Sequence, residues 1–198
     1  MKHLKYLLSL FIFVCLPVFA ASSPMDMLQS TSNQALAQLK QNQATLKTNP
    51  KVVYQIVNNI LAPHFAMQEM ARMVVGRNAW NAASPSDRAQ FVQQFKQLLM
   101  RTYSSALASY QNETVKFMPM RGDANSNRVQ VNSMIIRQAG PSVSVNYRLI
   151  QMGSEWKVYD VSVDGISLVE SYRTQFAAQL SQGGSLATLT QKLSQRNG

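Results

Sequence analysis

The apolar residues of this chain change their spacing near residue 113, and this change indicates the fold class. Before that point they recur every three or four residues, as on helices that bury one face. After it they stand at every second residue, as on strands with one buried face. Helices followed by strands indicate an α+β protein, with helices packed on one side of a curved antiparallel sheet.

The helical half carries one strong start signal, at residues 84–87. Ser84 suits the N-cap, Pro85 suits the first turn, and Asp87 adds an acidic group three residues after the cap. Asn49-Pro50 predicts a break between two earlier helices, and Gly76 predicts a helix end. The apolar stripes then predict helices over residues 28–46, 52–61, 65–75 and 91–110.

The second half predicts a sheet of about four strands. In the last strand, Tyr159, Val161 and Val163 alternate with Asp160 and Asp164. The alternation predicts that the three apolar residues share the buried face and that the two acids face solvent. The strands are expected near residues 115–117, 129–135, 143–149 and 159–163, and helices are expected over residues 166–180 and after residue 184.

The first 20 residues have the pattern of an export signal. Lys2 and Lys5 precede an apolar run from Tyr6 to Leu16, and small residues end at Ala20. Such a run is too short to span a bilayer, and its three-part order is typical of a cleaved signal peptide. Residues 21–198 are then expected to form a single domain without cysteine. Loss of the two lysines lowers the formal net charge from +10 to +8.

The residues expected after cleavage lack the usual chemistry of enzymes. They contain one histidine, His64, and no cysteine, so a zinc site would depend on carboxylates around one imidazole. No phosphate-binding or dinucleotide-binding motif is present. Asp160 and Asp164 would lie about 13 Å apart on a strand, beyond the 5–9.5 Å of glycosidase carboxylates. The sequence predicts no catalytic residues, no metal and no cofactor. The basic residues are scattered, which is atypical of nucleic-acid binding.

Several segments together resemble the MlaC (toluene-tolerance) family of periplasmic proteins. The stretch from Trp156 to Phe176 reads as a strand, a turn at Gly165 and a helix. The order and spacing of the matching segments, rather than any one of them, carry the resemblance. The others are ILAPHF, MARMVVGR, FKQLLMRTYSSALASY and VNYRL, at residues 60–65, 70–77, 95–110 and 145–149.

The resemblance implies a fold related to the NTF2-like proteins, with a deep apolar pocket for phospholipid acyl chains. It also implies two membrane partners, a lipoprotein-porin complex of the outer membrane and an inner-membrane ABC lipid transporter. Arg148 and Arg173, which flank apolar faces, are expected to meet a headgroup or an acidic partner surface. The shared apolar faces and the resemblance predict that the pocket is lined by Val74, Val75, Phe95, Leu99, Tyr103, Tyr147, Tyr159, Val161, Leu168, Tyr172 and Phe176.

The residues themselves leave three functions open. The first is a periplasmic carrier that shuttles phospholipid between the two membranes, as the resemblance implies. The second is an NTF2-like enzyme with an apolar substrate pocket, which would need polar groups aimed into that pocket. The third is a periplasmic adaptor whose interior is filled by its own side chains. Ordinary core packing explains apolar helix and strand faces equally well.

Overall fold

The protein is built from helices packed on one antiparallel sheet, as a computed structural model shows for residues 23–120, 126–181 and 183–197. The predicted signal peptide lies outside these residues. In the described residues the helices are α1 (Pro24–Gln41), α2 (Pro50–Ile56), α3 (Met67–Ala82), α4 (Pro85–Ala108), α5 (Leu168–Ser181) and α6 (Leu186–Asn197). The strands are β1 (Thr114–Phe117), β2 (Arg128–Ile136), β3 (Val143–Met152), β4 (Glu155–Val163) and β5 (Ile166–Ser167).

The sheet confirms the predicted α+β class and adds one short strand. Its order is β1-β2-β3-β4-β5, and every neighbouring pair is antiparallel. The added strand is β5, whose two residues pair with the end of β4. The predicted helix at residues 166–180 therefore begins two residues later, at Leu168. The tight turn that joins β4 to β5 has Asp164 and Gly165 at positive φ.

The start of α4 forms as its sequence predicts. Ser84 Oγ accepts a hydrogen bond from the backbone N–H of Asp87, and the Asp87 carboxylate accepts one from the backbone N–H of Ser84. This reciprocal pair satisfies two N–H groups that a helix start leaves without partners. Gly76 has φ of 78° and interrupts α3, which then continues to Ala82. The predicted end at Gly76 is thus a break within a longer helix.

Between α2 and α3 the chain makes two less common turns. Residues 57–61 form a π-helical turn and residues 62–64 form a 3-10 turn. Phe65 then makes a parallel bridge with Val158 of β4. These turns lie beside the sheet, and π-turns within helices are frequent at functional sites.

Three apolar clusters make up the core of the described residues. The first joins α3, α4, α5 and α6, and the second joins α1 to one face of the sheet. The third joins α1, the loop after it and α2, with the end of α4 packed on it. The described helices include none that is long and apolar enough to cross a membrane.

One irregularity interrupts the pairing of β3 with β4. Arg148 pairs with Asp160, whereas the next residue, Leu149, pairs with Val158. Tyr159 is therefore the extra residue of a β-bulge. An extra residue reverses the face to which every later side chain of the strand points. Val158 and Val161 both reach the sheet face that packs on α1, although they are three residues apart.

Candidate functional site

A cavity of about 360 Å³ lies between the sheet and the helices. This volume is within the 300–1,000 Å³ that is typical of small-molecule sites. Its wall combines the inner face of β2, β3 and β4 with side chains of α1, α4 and the two turns before α3. The wall is apolar over most of its area. Its apolar residues include Met27, Leu28, Val57, Leu61, Phe65, Met67, Met70, Leu99, Met100, Leu107, Ile135, Val145, Val158, Val161, Val163 and Leu168.

One face of α4 forms the longest continuous part of this wall. It runs from Lys96 to Leu107 through Leu99, Met100 and Tyr103. Lys96, Leu99, Tyr103 and Leu107 are three or four residues apart and so share one helix face, with Met100 at its side. Eleven steps of 1.5 Å give this wall a length of about 16 Å. A largely apolar wall of this length suits an extended hydrocarbon chain better than a compact polar molecule.

Two tyrosines bring hydroxyl groups to the apolar wall. Tyr103 is among the more exposed large apolar side chains, at 36%, and marks where the cavity approaches solvent. Burial raises the pKa of Tyr103 to about 12, and the neighbouring Tyr172 adds to the rise. Burial also raises the pKa of Tyr147, although a hydrogen bond with Ser133 opposes the rise. Both tyrosines are therefore neutral at physiological pH.

Two basic side chains line the cavity. They are Lys96 and His64, and both are half-buried. Burial lowers the pKa of His64 below its ordinary 6.5, and the charge of Lys157 lowers it further against the opposing effect of Glu155. His64 is thus mostly neutral at pH 7, which leaves Lys96 as the formal charge on the described wall.

Five of the eleven residues predicted to line a pocket do line this cavity. They come from two helices and two strands, which the fold brings together across long separations in the chain. Leu168, at the first position of α5, closes the cavity next to the end of β4. The five are Leu99, Tyr103, Tyr147, Val161 and Leu168.

Five others belong to the core between the helices and do not line this cavity. α3, α4 and α5 are apolar on more than one face, and the sequence does not show which face meets the sheet. Aromatic rings fill this core: Phe95 and Tyr172 pack edge to face with ring centres 5.5 Å apart. The five are Val74, Val75, Phe95, Tyr172 and Phe176.

Tyr159 is the sixth predicted residue that lies off the cavity, and the β-bulge explains why. Simple alternation places it beside Val161, but the bulge turns it to the opposite face of β4. There its ring lies under two guanidinium groups, with the Cζ atoms of Arg128 and Arg148 at 4.8 and 5.7 Å from the ring centre. Such cation–π contacts stabilise a buried ring that also borders polar groups.

The same face contains a buried carboxylate that the sequence predicted to face solvent. Asp160 is fully buried and accepts hydrogen bonds from Arg148, from the Ser167 hydroxyl at 2.7 Å and from the Val169 backbone N–H at 3.1 Å. The prediction of a solvent-facing acid is therefore wrong. Asp160 satisfies the N-terminal turn of α5, where a negative charge is favoured. It thereby ties the sheet to the helix that carries Leu168.

The two predicted arginines have different surroundings. Arg148 lies on the face opposite Tyr147, as predicted, and its guanidinium is paired with Asp160. Arg173 is exposed on α5 and lies 3.9 Å from Glu170. Neither residue lines the cavity. Contact of either residue with a lipid headgroup or a partner stays a prediction.

Sequence reasoning missed the wall that α1 and the π-helical turn provide. Met27, Leu28 and Thr31 come from α1, and Val57 and Leu61 come from the turn. The apolar stripe from Leu28 onward was visible in the sequence, but nothing local connects it to the sheet. Methionines were the other available signal. Their flexible side chains suit an adaptable lining, and Met67, Met70 and Met100 also line the cavity.

The described residues contain no group of three or more His, Cys, Asp or Glu side chains placed to hold a metal ion. Every buried side-chain nitrogen or oxygen among them has a hydrogen-bond partner. The cavity therefore offers mainly apolar contact, with the neutral rings of Tyr103 and Tyr147, the hydroxyls of Thr31, Ser32 and Ser104, and the basic side chains of Lys96 and His64. These groups can bind a hydrocarbon chain.

Comparison with known proteins gives one consistent result. The family model described as "MlaC protein" matches residues 29–195. The toluene tolerance protein ttg2D of Pseudomonas putida is 32% identical over 165 residues, which are 83% of this chain and 76% of that protein. The intermembrane phospholipid transport system binding protein MlaC of Haemophilus influenzae is 26% identical, over 97% of this chain and 90% of that protein.

A solved structure is similar over most of its length. It is the phospholipid-binding protein from Ralstonia solanacearum in complex with a phospholipid, at 1.53 Å resolution. The two structures superpose with a TM-score of 0.83 and share 32% sequence identity. The match covers 89% of this chain and 97% of the other.

Proposed function

The chain belongs to the MlaC family, and from this premise we propose that it is a periplasmic carrier that holds phospholipid acyl chains in its cavity and moves lipid between the two membranes. The observation that supports this proposal most directly is the apolar cavity between the sheet and α4. A relative of the same fold and 32% identity was solved with a phospholipid bound.

The energetics of lipid transfer explain why such a cavity is needed. Two acyl chains contain roughly 30 methylenes, and exposure of each to water costs about 0.8 kcal/mol, so an uncovered lipid costs on the order of 20 kcal/mol. A carrier removes most of that cost during transit. Its cavity must hold the chains about as well as a bilayer does, since tighter binding would prevent unloading.

The carrier works without breaking a bond. This proposal rests on the apolar wall, on the neutral state of Tyr103 and Tyr147, and on relatives that are named for binding and transport. The lipoprotein-porin complex and the ABC transporter are proposed as its membrane partners. Export through a cleaved signal at residues 1–20 is proposed with them.

The proposal is tested by filling the cavity. Val161 is buried on the cavity wall, and Trp at this position would occupy the space of a bound chain. The Val161→Trp protein, purified from periplasm without detergent, should carry at most about one fifth of the phospholipid that the unchanged protein carries, as measured by native mass spectrometry, while its circular dichroism spectrum stays the same. The fold is retained because the new ring enters space rather than packed atoms.

The matched control is Ile166→Trp. Ile166 pairs with Val163 at the end of the same sheet but is 67% exposed and does not line the cavity. This variant should retain its lipid. Equal lipid content in both variants, with both folded, would refute the cavity as the lipid site. Absence of lipid from the unchanged protein, in preparations and in vesicle extraction assays, would refute the carrier itself.

A further inference from the structure

The charge on the cavity wall is concentrated at one place. Lys96 is the one Asp, Glu, Lys or Arg residue that lines the cavity in the described part of the chain. It stands at the first position of the α4 stripe, and the apolar positions Leu99, Met100 and Leu107 follow it. The α4 wall thus begins at a cation and continues for about 16 Å with mostly apolar side chains, among which Tyr103 and Ser104 carry hydroxyl groups.

No protein carboxylate neutralises this lysine within the described residues. Two acids that are not exposed are already paired with arginines. Glu69 pairs with Arg72 and Arg128, and Asp160 pairs with Arg148. No ion pair or hydrogen bond of the Lys96 ammonium is found among the described groups. A half-buried lysine beside an apolar cavity favours an anionic partner, because charge-assisted hydrogen bonds are stronger than those between neutral groups.

His64 adds a hydrogen-bonding group to the same cavity. It is half-buried, and it is held mostly neutral at pH 7 by its burial and by Lys157. A neutral imidazole can donate one hydrogen bond to a ligand in the cavity. Toward the other end of the stripe, Leu107 packs in the same cluster as Val57 and Leu61. An amphiphile with one anionic group therefore finds its cationic partner at Lys96 and apolar contacts further along α4.

We propose that Lys96 is the counter-ion for the anionic group of the bound amphiphile, so that the cavity selects acyl chains that end in a phosphate or a carboxylate over neutral ones. The inference rests on the proposed lipid-binding function and defines the class of ligand for that cavity. Phosphate of a phospholipid and carboxylate of a free fatty acid share this chemistry, and binding experiments separate them.

The alternative to a counter-ion role is that the methylenes of Lys96 cover apolar surface while its ammonium stays in water. Lys96→Met separates the two roles, because Met keeps an unbranched apolar side chain and removes the charge. Delipidated protein would be titrated with three probes that share a monounsaturated 18-carbon chain: oleoyl lysophosphatidylglycerol, oleate and oleyl alcohol. Lys192→Met is the matched control, since Lys192 is exposed on α6 and lies off the cavity.

The expected result is an affinity loss of about five- to tenfold for the two anionic probes in Lys96→Met, with oleyl alcohol unchanged, which is the range for one partly solvated ion pair. Lys96→Arg should restore the anionic affinities. Loss with lysophosphatidylglycerol alone identifies a phosphate site, and loss with oleate alone identifies a fatty-acid site. Both results support the counter-ion.

Two results would overturn the inference while the carrier function stands. One is unchanged affinity for every probe in Lys96→Met. The other is an equal loss for all three probes, which would assign Lys96 to packing alone. Failure of the unchanged protein to bind any probe is a different outcome, because it would remove the proposed function as well. If the circular dichroism spectrum shows that Lys96→Met is unfolded, the same three titrations are made with Lys96→Gln and judged by the same two results.

Discussion

Replacement of Asp160 by Asn tests the buried link between the sheet and α5. The substitution keeps the shape of the side chain and removes its charge. The Asn Oδ1 atom can still accept from the Val169 N–H, which lies 3.1 Å from the carboxylate. The Nδ2 group would then face the Arg148 guanidinium and the Ser167 hydroxyl, which both donate to the carboxylate in the native protein. The guanidinium of Arg148 can only donate, so it would face a second donor beside a fully buried side chain, which is unfavourable.

The size of the effect follows from the burial of the two partners. Loss of one partner from a fully buried pair costs about 3–5 kcal/mol. Asp160 is fully buried, but the Arg148 side chain is 36% exposed and can recover part of its hydration. The lower end of that range, about 3 kcal/mol, is therefore expected. With a urea m-value of about 2 kcal/mol/M, the unfolding midpoint should fall by about 1.5 M at pH 7.

Urea unfolding followed by tryptophan fluorescence measures this shift, and Asp164→Asn is its control. Asp164 lies in the turn after the same strand, is exposed, has φ of 47°, and accepts a hydrogen bond from the Ser144 N–H at 2.9 Å. Asn tolerates that backbone conformation and keeps an oxygen that accepts this hydrogen bond. The free energy of unfolding is therefore expected to change by no more than about 0.5 kcal/mol. Similar midpoints for the two variants would refute the role assigned to Asp160.

Two further predictions concern titration. The hydrogen bond from Arg72 lowers the pKa of Glu69 below its ordinary 4.5, against its burial, and Arg128 lowers it further. A lowered folded-state pKa stabilises the fold above pH 4.5, and this contribution is lost as the pH falls through the lowered value. Glu69→Gln should thus be less stable than the unchanged protein at pH 7, and the urea midpoints of the two proteins should converge in acid. A difference between the midpoints that does not change with pH would contradict this prediction. For Tyr103, burial and the neighbouring Tyr172 raise the pKa to about 12. The difference in tyrosinate absorbance between the unchanged protein and Tyr103→Phe should therefore titrate with a midpoint near pH 12. A midpoint near pH 10 would show instead that the hydroxyl is solvated.

The secondary structure was largely predictable because its signals act over a few residues. Ser84 and Asp87 form their capping box regardless of what packs on α4 later. The alternation in β2 and β3 predicted their buried faces, and Tyr147 reaches the cavity accordingly. Strand β5 was missed because two residues carry no period, and its pairing depends on the turn at Gly165.

The cavity was predictable only in part because helix faces compete. Phe95 and Leu99 are one turn apart on α4, yet Phe95 packs among the helices and Leu99 lines the cavity. Both residues are apolar, and a stripe wide enough to include both does not indicate which neighbour each will meet. The contribution of α1 was missed for the same reason, since Met27 and Leu28 meet the sheet across about a hundred residues of chain.

The sequence by itself determined the α+β class, the order of the elements and the resemblance that points to a lipid carrier, since each depends on residues close together or on their order. Only the tertiary structure decided that Tyr159 leaves its predicted face, because the position of the one extra residue in β4 depends on pairing with β3. It likewise decided that Asp160 is buried on its predicted face, because Ser167 and the start of α5 pack on it. It also decided that Lys96 lies at the cavity, because a helix surface becomes a wall only when another element packs opposite it.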